Sequence, residues 1–230
     1  MEKTLKGGRK MLNRKCKWKL FSGVALLICF ALWTVAVCFC DLQSIGPRNS
    51  VVGLSTINKF VHEIIGENML LYVITDWLGI LPLCFILGFA ILGLTQWIKR
   101  KKLLKVDYSI LSLGVFYVVV LAVYILFEFV VVNYRPVLIE GYLEASYPSS
   151  TTMLVLCVMP TAIMQFNARI KGKGVKIALN SIISAFIVFM VVGRLMSGVH
   201  WFSDIIGGIL LSVGLIQLYS FSLSLQGSCV

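Results

Sequence analysis

Charged residues are scarce in this chain of 230 residues. They make up 13% of it, whereas a soluble domain of this length carries about 25%. Hydrophobic residues reach 59%. This composition excludes an ordinary soluble domain and predicts one membrane domain, because no linker or low-complexity segment divides the sequence.

Acidic residues, histidines and paired cysteines are also few. Ten Asp and Glu stand against 21 Lys and Arg, which gives a net charge of +11, and there are two histidines. The basic residues lie in short segments between apolar runs, without an aromatic and basic surface module, so we predict no nucleic-acid partner. The seven cysteines include no CxxC pair and no metal-ligand spacing, which argues against disulfides and a structural metal.

Long apolar runs are what the sequence has in abundance. A run of about 20 apolar residues crosses a bilayer as a helix, because its backbone must satisfy its own hydrogen bonds there. We predict an all-α bundle of six such spans, at about 20–40, 77–97, 108–132, 152–166, 177–192 and 205–221. Residues 1–19 form a predicted basic tail, 20–222 the six-span domain and 223–230 a short C-terminal tail.

The basic residues predict an orientation in a cell membrane that the chain crosses several times. From the N-terminal tail through the five loops, Lys and Arg number 8, 2, 5, 1, 4 and 1. Cytoplasmic segments carry the excess of basic residues. The alternation therefore predicts that both termini are cytoplasmic and that the first, third and fifth loops face outward.

The long first loop carries apolar residues at roughly helical spacing: Val52, Ile57, Val61, Ile64 and Ile65. This pattern predicts a helix that lies on the membrane surface or packs over the mouth of the bundle. His62 is interpreted as an exposed loop residue rather than a ligand.

Two titratable residues near the end of the chain stand four positions apart. On a helix, His200 and Asp204 would share one face. A carboxylate beside an imidazole fixes its tautomer and stabilises its charged form, which suits a histidine acting as nucleophile or base. The alternative is that Asp204 caps the sixth span.

Other polar residues fall on the same predicted outer side. Arg135 and Arg194 are each an interface anchor or a phosphate ligand, because guanidinium groups bind phosphate oxygens in bidentate fashion. Ser149, Ser150 and Thr151 stand where the fourth span begins. They either cap that helix or add hydroxyls to a helix N-terminus that attracts an anion.

Three motifs in this order resemble the type 2 phosphatidic acid phosphatases, the membrane relatives of vanadium haloperoxidases. That family shows KxxxxxxRP, PSGH and SRxxxxxHxxxD. Here the third motif reads "GRLMSGVHWFSD", with Gly193 replacing its serine. The second reads "PSST", and the first keeps Arg135-Pro136 with Glu128 at the lysine position.

The resemblance implies an activity. His200 would attack phosphorus and form a phosphohistidine, Asp204 would orient it, and Arg135 and Arg194 would hold the phosphate. Ser149, Ser150 and Thr151 would add phosphate contacts. The implied enzyme needs no metal and no cofactor, and it acts on lipid phosphates or diphosphates that reach an outward-facing site from the bilayer.

Two departures bear on catalysis. Thr151 replaces the histidine that usually protonates the leaving group, and such protonation contributes about 10²–10⁴-fold. Three alternatives remain open. The substrate has a good leaving group, as a polyprenyl diphosphate does, or Glu128, Glu140 or Glu144 supplies the proton. In the third alternative, the chain does not hydrolyse its ligand but binds a phosphorylated lipid or assists a membrane partner. Glu128 is the one charged residue inside a predicted span, which argues against a channel or transporter.

Overall fold

The computed structural model describes residues 2–225, and in that part of the chain every regular element is helical. Eight α-helices follow one another: α1 Glu2–Phe39, α2 Ser55–Ile65, α3 Met69–Leu78, α4 Ile80–Arg100, α5 Tyr108–Phe129, α6 Ser150–Arg169, α7 Lys173–Met196 and α8 Phe202–Leu225. Six segments among the described residues are long and apolar enough to cross a membrane. The predicted all-α, six-span architecture is confirmed.

The second span differs most from its prediction. It begins at Met69 instead of residue 77, and α3 and α4 join at Gly79. Pro82 lies in the first turn of α4 and has no N–H to donate to Leu78, which explains the interruption. The observed span therefore contains Asp76, which the sequence pattern had left in the loop.

Helices α6 and α8 form the inside of the bundle. About half of the most apolar stretch of α6 and 44% of that of α8 are buried, against 11% for α1, α4 and α7. Helix α8 packs along α1, and α6 contacts α4, α5, α7 and α8. The ends of these two inner helices, α6 at Ser150 and α8 at Phe202, lie at the same end of the bundle, where Ser149 N–H donates to the backbone oxygen of Asp204 over 3.1 Å.

The first loop contains the predicted helix, α2. Its polar face packs on the bundle: the Asn58 amide exchanges hydrogen bonds with Ser203 at 2.9 and 3.0 Å. Ile57 and Ile64 are exposed instead. The helix thus lies over the bundle mouth, with Ile57 and Ile64 turned outward and Val61 and Ile65 partly buried. His62 is in this helix rather than in a loop, and its ring is 5.4 Å from that of Trp201.

The two ends of the bundle differ in charge. At one end of the bundle, α4 ends with Lys99 and Arg100 and α7 begins at Lys173. At the opposite end of the bundle, the last turn of α7 contains a single basic residue, Arg194. The cytoplasmic location of both termini, the outward orientation of the first, third and fifth loops, and the boundaries 1–19, 20–222 and 223–230 stay predictions. Helix α1 runs without interruption across the predicted boundary at residue 19, and residues 226–230 lie outside the described part of the chain.

Candidate active site

His200 lies in the tight turn between α7 and α8, just outside the helix on which the sequence placed it. The turn reverses at Gly198, whose φ is +70°, and a Cβ there would lie 2.0 Å from the Gly66 oxygen. Glycine alone fits this backbone and this contact. The turn leaves His200 only 3% exposed.

The contacts of His200 define one neutral tautomer. Its Nδ1 is 3.2 Å from the backbone oxygen of Ser146. Because a carbonyl only accepts, Nδ1 carries the proton. Its Nε2 is 3.3 Å from Arg135 Nη1 and 3.2 Å from Arg194 Nη2, and guanidinium nitrogens only donate. The Nε2 lone pair therefore points between the two arginines.

Burial and the positive charges of Arg135 and Arg194 hold the pKa of His200 well below its usual range. Both causes disfavour the protonated ring. The sign for stability follows: below about pH 6.5 the unfolded chain takes up a proton that folded His200 refuses, so the unfolding free energy falls as the pH drops.

We expect His200 to stay neutral, with its proton on Nδ1, when the pH falls through 6.5, the ordinary pKa of histidine. Nitrogen-15 NMR of histidine-labelled protein in detergent micelles measures both the tautomer and the midpoint. The chain has two histidines, so His62→Gln leaves a single labelled ring and assigns it. A midpoint at or above 6.5 would contradict this electrostatic picture.

Asp204 contributes less directly than the sequence suggests. Its Oδ2 is 3.7 Å from His200 Nδ1, farther than the Ser146 oxygen. The same Oδ2 accepts the Trp201 N–H at 2.9 Å, which caps the start of α8. The carboxylate is completely buried. The Asp204 carboxylate thus caps α8 and also lies beside the His200 ring.

Arg135 is held by a loop that folds back on itself between α5 and α6. Its backbone N–H donates to the Glu144 oxygen over 3.0 Å, and Ser146 N–H donates to the Asn133 oxygen over 2.9 Å. The Arg135 Nε is also 3.0 Å from Glu144 Oε2. This pairing aligns the guanidinium and the Ser146 carbonyl on opposite sides of the imidazole.

Arg194 lies in the last turn of α7 and is 1% exposed. Residues of α3 contact its guanidinium group. Its Nη1 lies 3.5 Å from Asp76 Oδ1 and 3.5 Å from Thr75 Oγ1. Its guanidinium lies over the Tyr72 ring, 5.1 Å from the centroid. Stacking and a fork of donors fix the plane of the group. The Arg194 Nε has no hydrogen-bond partner among the described residues.

The hydroxyl residues stand at the start of α6. Ser149 is the N-cap residue, yet its side chain makes no capping hydrogen bond, and its buried Oγ has no hydrogen-bond partner in the part of the chain that the structure describes. Ser150 and Thr151 are partly exposed in the first turn. The N-cap interpretation therefore holds for Ser149 by position and not by hydrogen bonding.

The three glutamates singled out by the sequence are spread apart. Glu144 contacts Arg135, as described. Glu128 is exposed in the last turn of α5, where it lines a small crevice with Ser146 and Ser150. Glu140 is exposed at the tip of the loop, where its φ is +50°. Only Glu144 touches a residue that contacts His200.

Sequence reasoning missed four residues that surround the arginines and the imidazole: Tyr72, Thr75, Asp76 and Ser146. Asp76 alone left a signal, because an ionisable residue among apolar neighbours in a span is uncommon. Ser146 acts through its backbone oxygen, which no residue pattern reveals.

Residues 127–224 match the family model described as the PAP2 superfamily. This match supports the assignment of the chain to the PAP2 superfamily. The matched PAP2 region contains the loop of Arg135, the start of α6, and the turn with Arg194, His200 and Asp204. Helices α1 to α4, and with them Asp76, precede it.

The crystal structure of a transmembrane PAP2-type phosphatidylglycerolphosphate phosphatase from Bacillus subtilis is similar to this chain, with a TM-score of 0.55. The likeness covers 86% of this chain and 94% of that one, at 19% identity, so it shows a shared PAP2 fold and no more. Comparison with curated protein sequences finds no significant match.

Among the residues whose side chains the structure describes, 16–225, no group of three or more His, Cys, Asp and Glu is suited to a metal ion. The absence of a metal and of a cofactor from the reaction stays a prediction, which the assay below tests.

Proposed function

We propose that the chain is a metal-independent phosphatase that hydrolyses phosphorylated lipids through a phosphohistidine on His200. The observation that carries this proposal is the meeting of two guanidinium groups at one imidazole nitrogen. Arg135 and Arg194 each lie within 3.3 Å of Nε2. Two like charges are held together there, and an anion between them relieves their repulsion.

Binding and attack use the same atoms. Phosphate oxygens replace Nε2 as acceptors of the arginine N–H groups, which frees the Nε2 lone pair in front of phosphorus. The Nε2–P bond forms while the bond from phosphorus to the leaving oxygen breaks, and that oxygen takes up a proton. The Ser146 carbonyl, at 3.2 Å from Nδ1, stabilises the positive ring that results.

In the second step, water takes the place of the leaving group. Water attacks the phosphorus of phosphohistidine, the Nε2–P bond breaks, and inorganic phosphate leaves. The two arginines stabilise the negative charge that develops on the phosphoryl oxygens in both steps. The uncapped N-terminus of α6 and the unpartnered Ser149 hydroxyl provide further donors for these oxygens.

The site lies at the end of the bundle away from the basic segments. Because basic residues favour the cytoplasmic side, we propose that the site faces outward in the cell membrane. His200 and Arg194 are buried, whereas Asp76 and Glu144 are 57% and 42% exposed. The lipid phosphate therefore enters past these two carboxylates, each paired with one arginine.

The leaving group selects the substrate. Because Thr151 cannot act as an acid near neutral pH, we propose that lipid diphosphates, which release an acidic lipid phosphate, react faster than monoesters. The panel to test contains a polyprenyl diphosphate, phosphatidate and phosphatidylglycerolphosphate, the last being the substrate named for the similar Bacillus subtilis enzyme.

One observation favours a second function, the binding of phosphorylated lipid without hydrolysis. Thr151 stands in the first turn of α6 where the family motif has its histidine, so a proton donor is missing from this helix. A binder of this kind keeps the two arginines and has no need of a reactive imidazole.

The deciding assay is phosphate release by purified protein in detergent, with and without a chelator. We expect release from the diphosphate that continues with the chelator, together with an acid-labile, alkali-stable phosphate label on the protein. Release that stops with the chelator and returns with a divalent ion would contradict the metal-free mechanism. Lipid binding without release from any substrate would establish the binding function instead.

A further inference from the structure

We propose that Asp76 donates the proton to the leaving group, in place of the histidine that Thr151 replaces. This inference rests on the proposed phosphatase function and adds a residue from outside the PAP2 region. It concerns a carboxyl on α3 that no motif contains, because the family match begins at residue 127.

The first observation is the position of Asp76 at the edge of the phosphate site. Its Oδ1 is 3.5 Å from Arg194 Nη1, and Arg194 Nη2 is 3.2 Å from the attacking nitrogen of His200. The Arg194 guanidinium is buried, while the Asp76 side chain is 57% exposed. A phosphate held by Arg194 would thus lie between buried His200 and exposed Asp76, and the proposal places the leaving oxygen on the Asp76 side.

The second observation connects Asp76 to Thr151. Gly79 is three residues after Asp76 on the same face of the helix. A Cβ on Gly79 would be 3.4 Å from Thr151 Cγ2, so α3 meets the first turn of α6 at this point. Asp76 therefore lies one helical turn from the point where its helix contacts Thr151.

The other carboxylates are placed less well. Glu144 binds the Nε edge of Arg135, which is the edge away from His200. Glu128 faces a crevice between α5 and the start of α6, and Glu140 is at the tip of its loop. Only Asp76 contacts the guanidinium that is buried against both His200 and α3.

The proton balance closes over one cycle. The substrate enters as a monoanion that carries one proton on its phosphate, and this proton passes to the adjacent Asp76 carboxylate. The resulting carboxyl gives the proton to the leaving oxygen as the P–O bond breaks. The carboxylate then accepts a proton from the water that attacks phosphohistidine and returns it to the departing inorganic phosphate, so Asp76 is a carboxylate again for the next substrate.

The test compares two substrates with one tail, dodecyl phosphate and dodecyl diphosphate. The first must release an alkoxide and needs a proton, whereas the second releases dodecyl phosphate and needs it far less. We expect Asp76→Asn to lower kcat on the monophosphate about 10²-fold, within the range of general acid catalysis, and kcat on the diphosphate by less than about threefold. Asparagine still accepts a hydrogen bond from Arg194, so a role confined to positioning Arg194 would not discriminate between the substrates.

Two further variants sharpen the comparison. Glu144→Gln neutralises the other rim carboxylate, and we expect it to change both substrates by the same factor. Thr151→His added to Asp76→Asn restores a proton donor at the start of α6, and we expect it to recover most of the lost monophosphate activity.

The outcomes separate this inference from the function on which it rests. Equal loss on both substrates, or no loss on either, overturns the role of Asp76 while the phosphatase stands. If the unsubstituted chain hydrolyses neither substrate and forms no phosphohistidine, both proposals fail.

Discussion

Replacing His200 with alanine will lower phosphate release by at least about 10⁴-fold, because removal of a covalent nucleophile cannot be compensated by neighbouring groups. The chain has one other histidine, His62. It lies on α2, where its ring packs against Trp201 instead of contacting the two arginines. The arginines remain in the variant, so lipid phosphate binding should persist while the phosphohistidine label disappears. Initial rates and the label measured on the same preparation check both effects.

His62→Ala is the matched control for this experiment. It removes an imidazole of the same chain at the same end of the bundle, and we expect it to keep the full rate. If His200→Ala keeps more than a tenth of the original rate, His200 is not the nucleophile. If both variants lose activity equally, the loss reflects the packing of this end of the bundle.

The second large effect is expected at Arg194, where even lysine should cost about 10²–10³-fold in kcat, the typical cost of removing one donor that stabilises transition-state charge. Lysine keeps the charge but lacks the planar fork that reaches Asp76, Thr75 and His200 at once. It also cannot stack on Tyr72 in the same way. Steady-state rates on the preferred diphosphate measure the loss.

Arg169→Lys provides the comparison. Arg169 also ends a helix and is held in a polar network, with Gln165 and Ser109, but at the opposite end of the bundle. We expect the control to change kcat less than about threefold. An Arg194→Lys variant with an unchanged rate would show that Arg194 is only a packing residue, and Arg135 alone would then hold the phosphate.

The membrane spans were predicted from the sequence in number but not in their exact bounds. Hydropathy places all six because a backbone in hydrocarbon must bond to itself, and that demand leaves long apolar runs in the sequence. The ends of the spans differ from the prediction. The third span was expected to reach residue 132 and ends at Phe129. Just beyond it, the side-chain oxygen of buried Asn133 accepts from Gly53 N–H and its backbone oxygen accepts from Ser146 N–H, so the chain leaves the helix to make these contacts.

The start of the second span had a larger consequence. The predicted span begins at residue 77 and leaves Asp76 in the first loop. The observed helix begins at Met69 and includes Asp76. The sequence consequently offered Glu128, Glu140 and Glu144 as proton donors. The structure brings only Glu144 into contact with a site arginine, and it adds Asp76.

The sequence by itself determined that this chain is a six-span helical membrane protein and that Arg194, His200 and Asp204 keep the spacing of one motif. Both follow from local rules, since hydrophobicity and spacing act along a single segment. Only the tertiary structure decided which groups meet: the Ser146 carbonyl, rather than Asp204, is the nearest acceptor of the His200 proton, and α3 supplies the partner of Arg194. These contacts join residues 54 and 118 positions apart, and the rotation and tilt of packed helices that create them are set by side chains from the whole bundle.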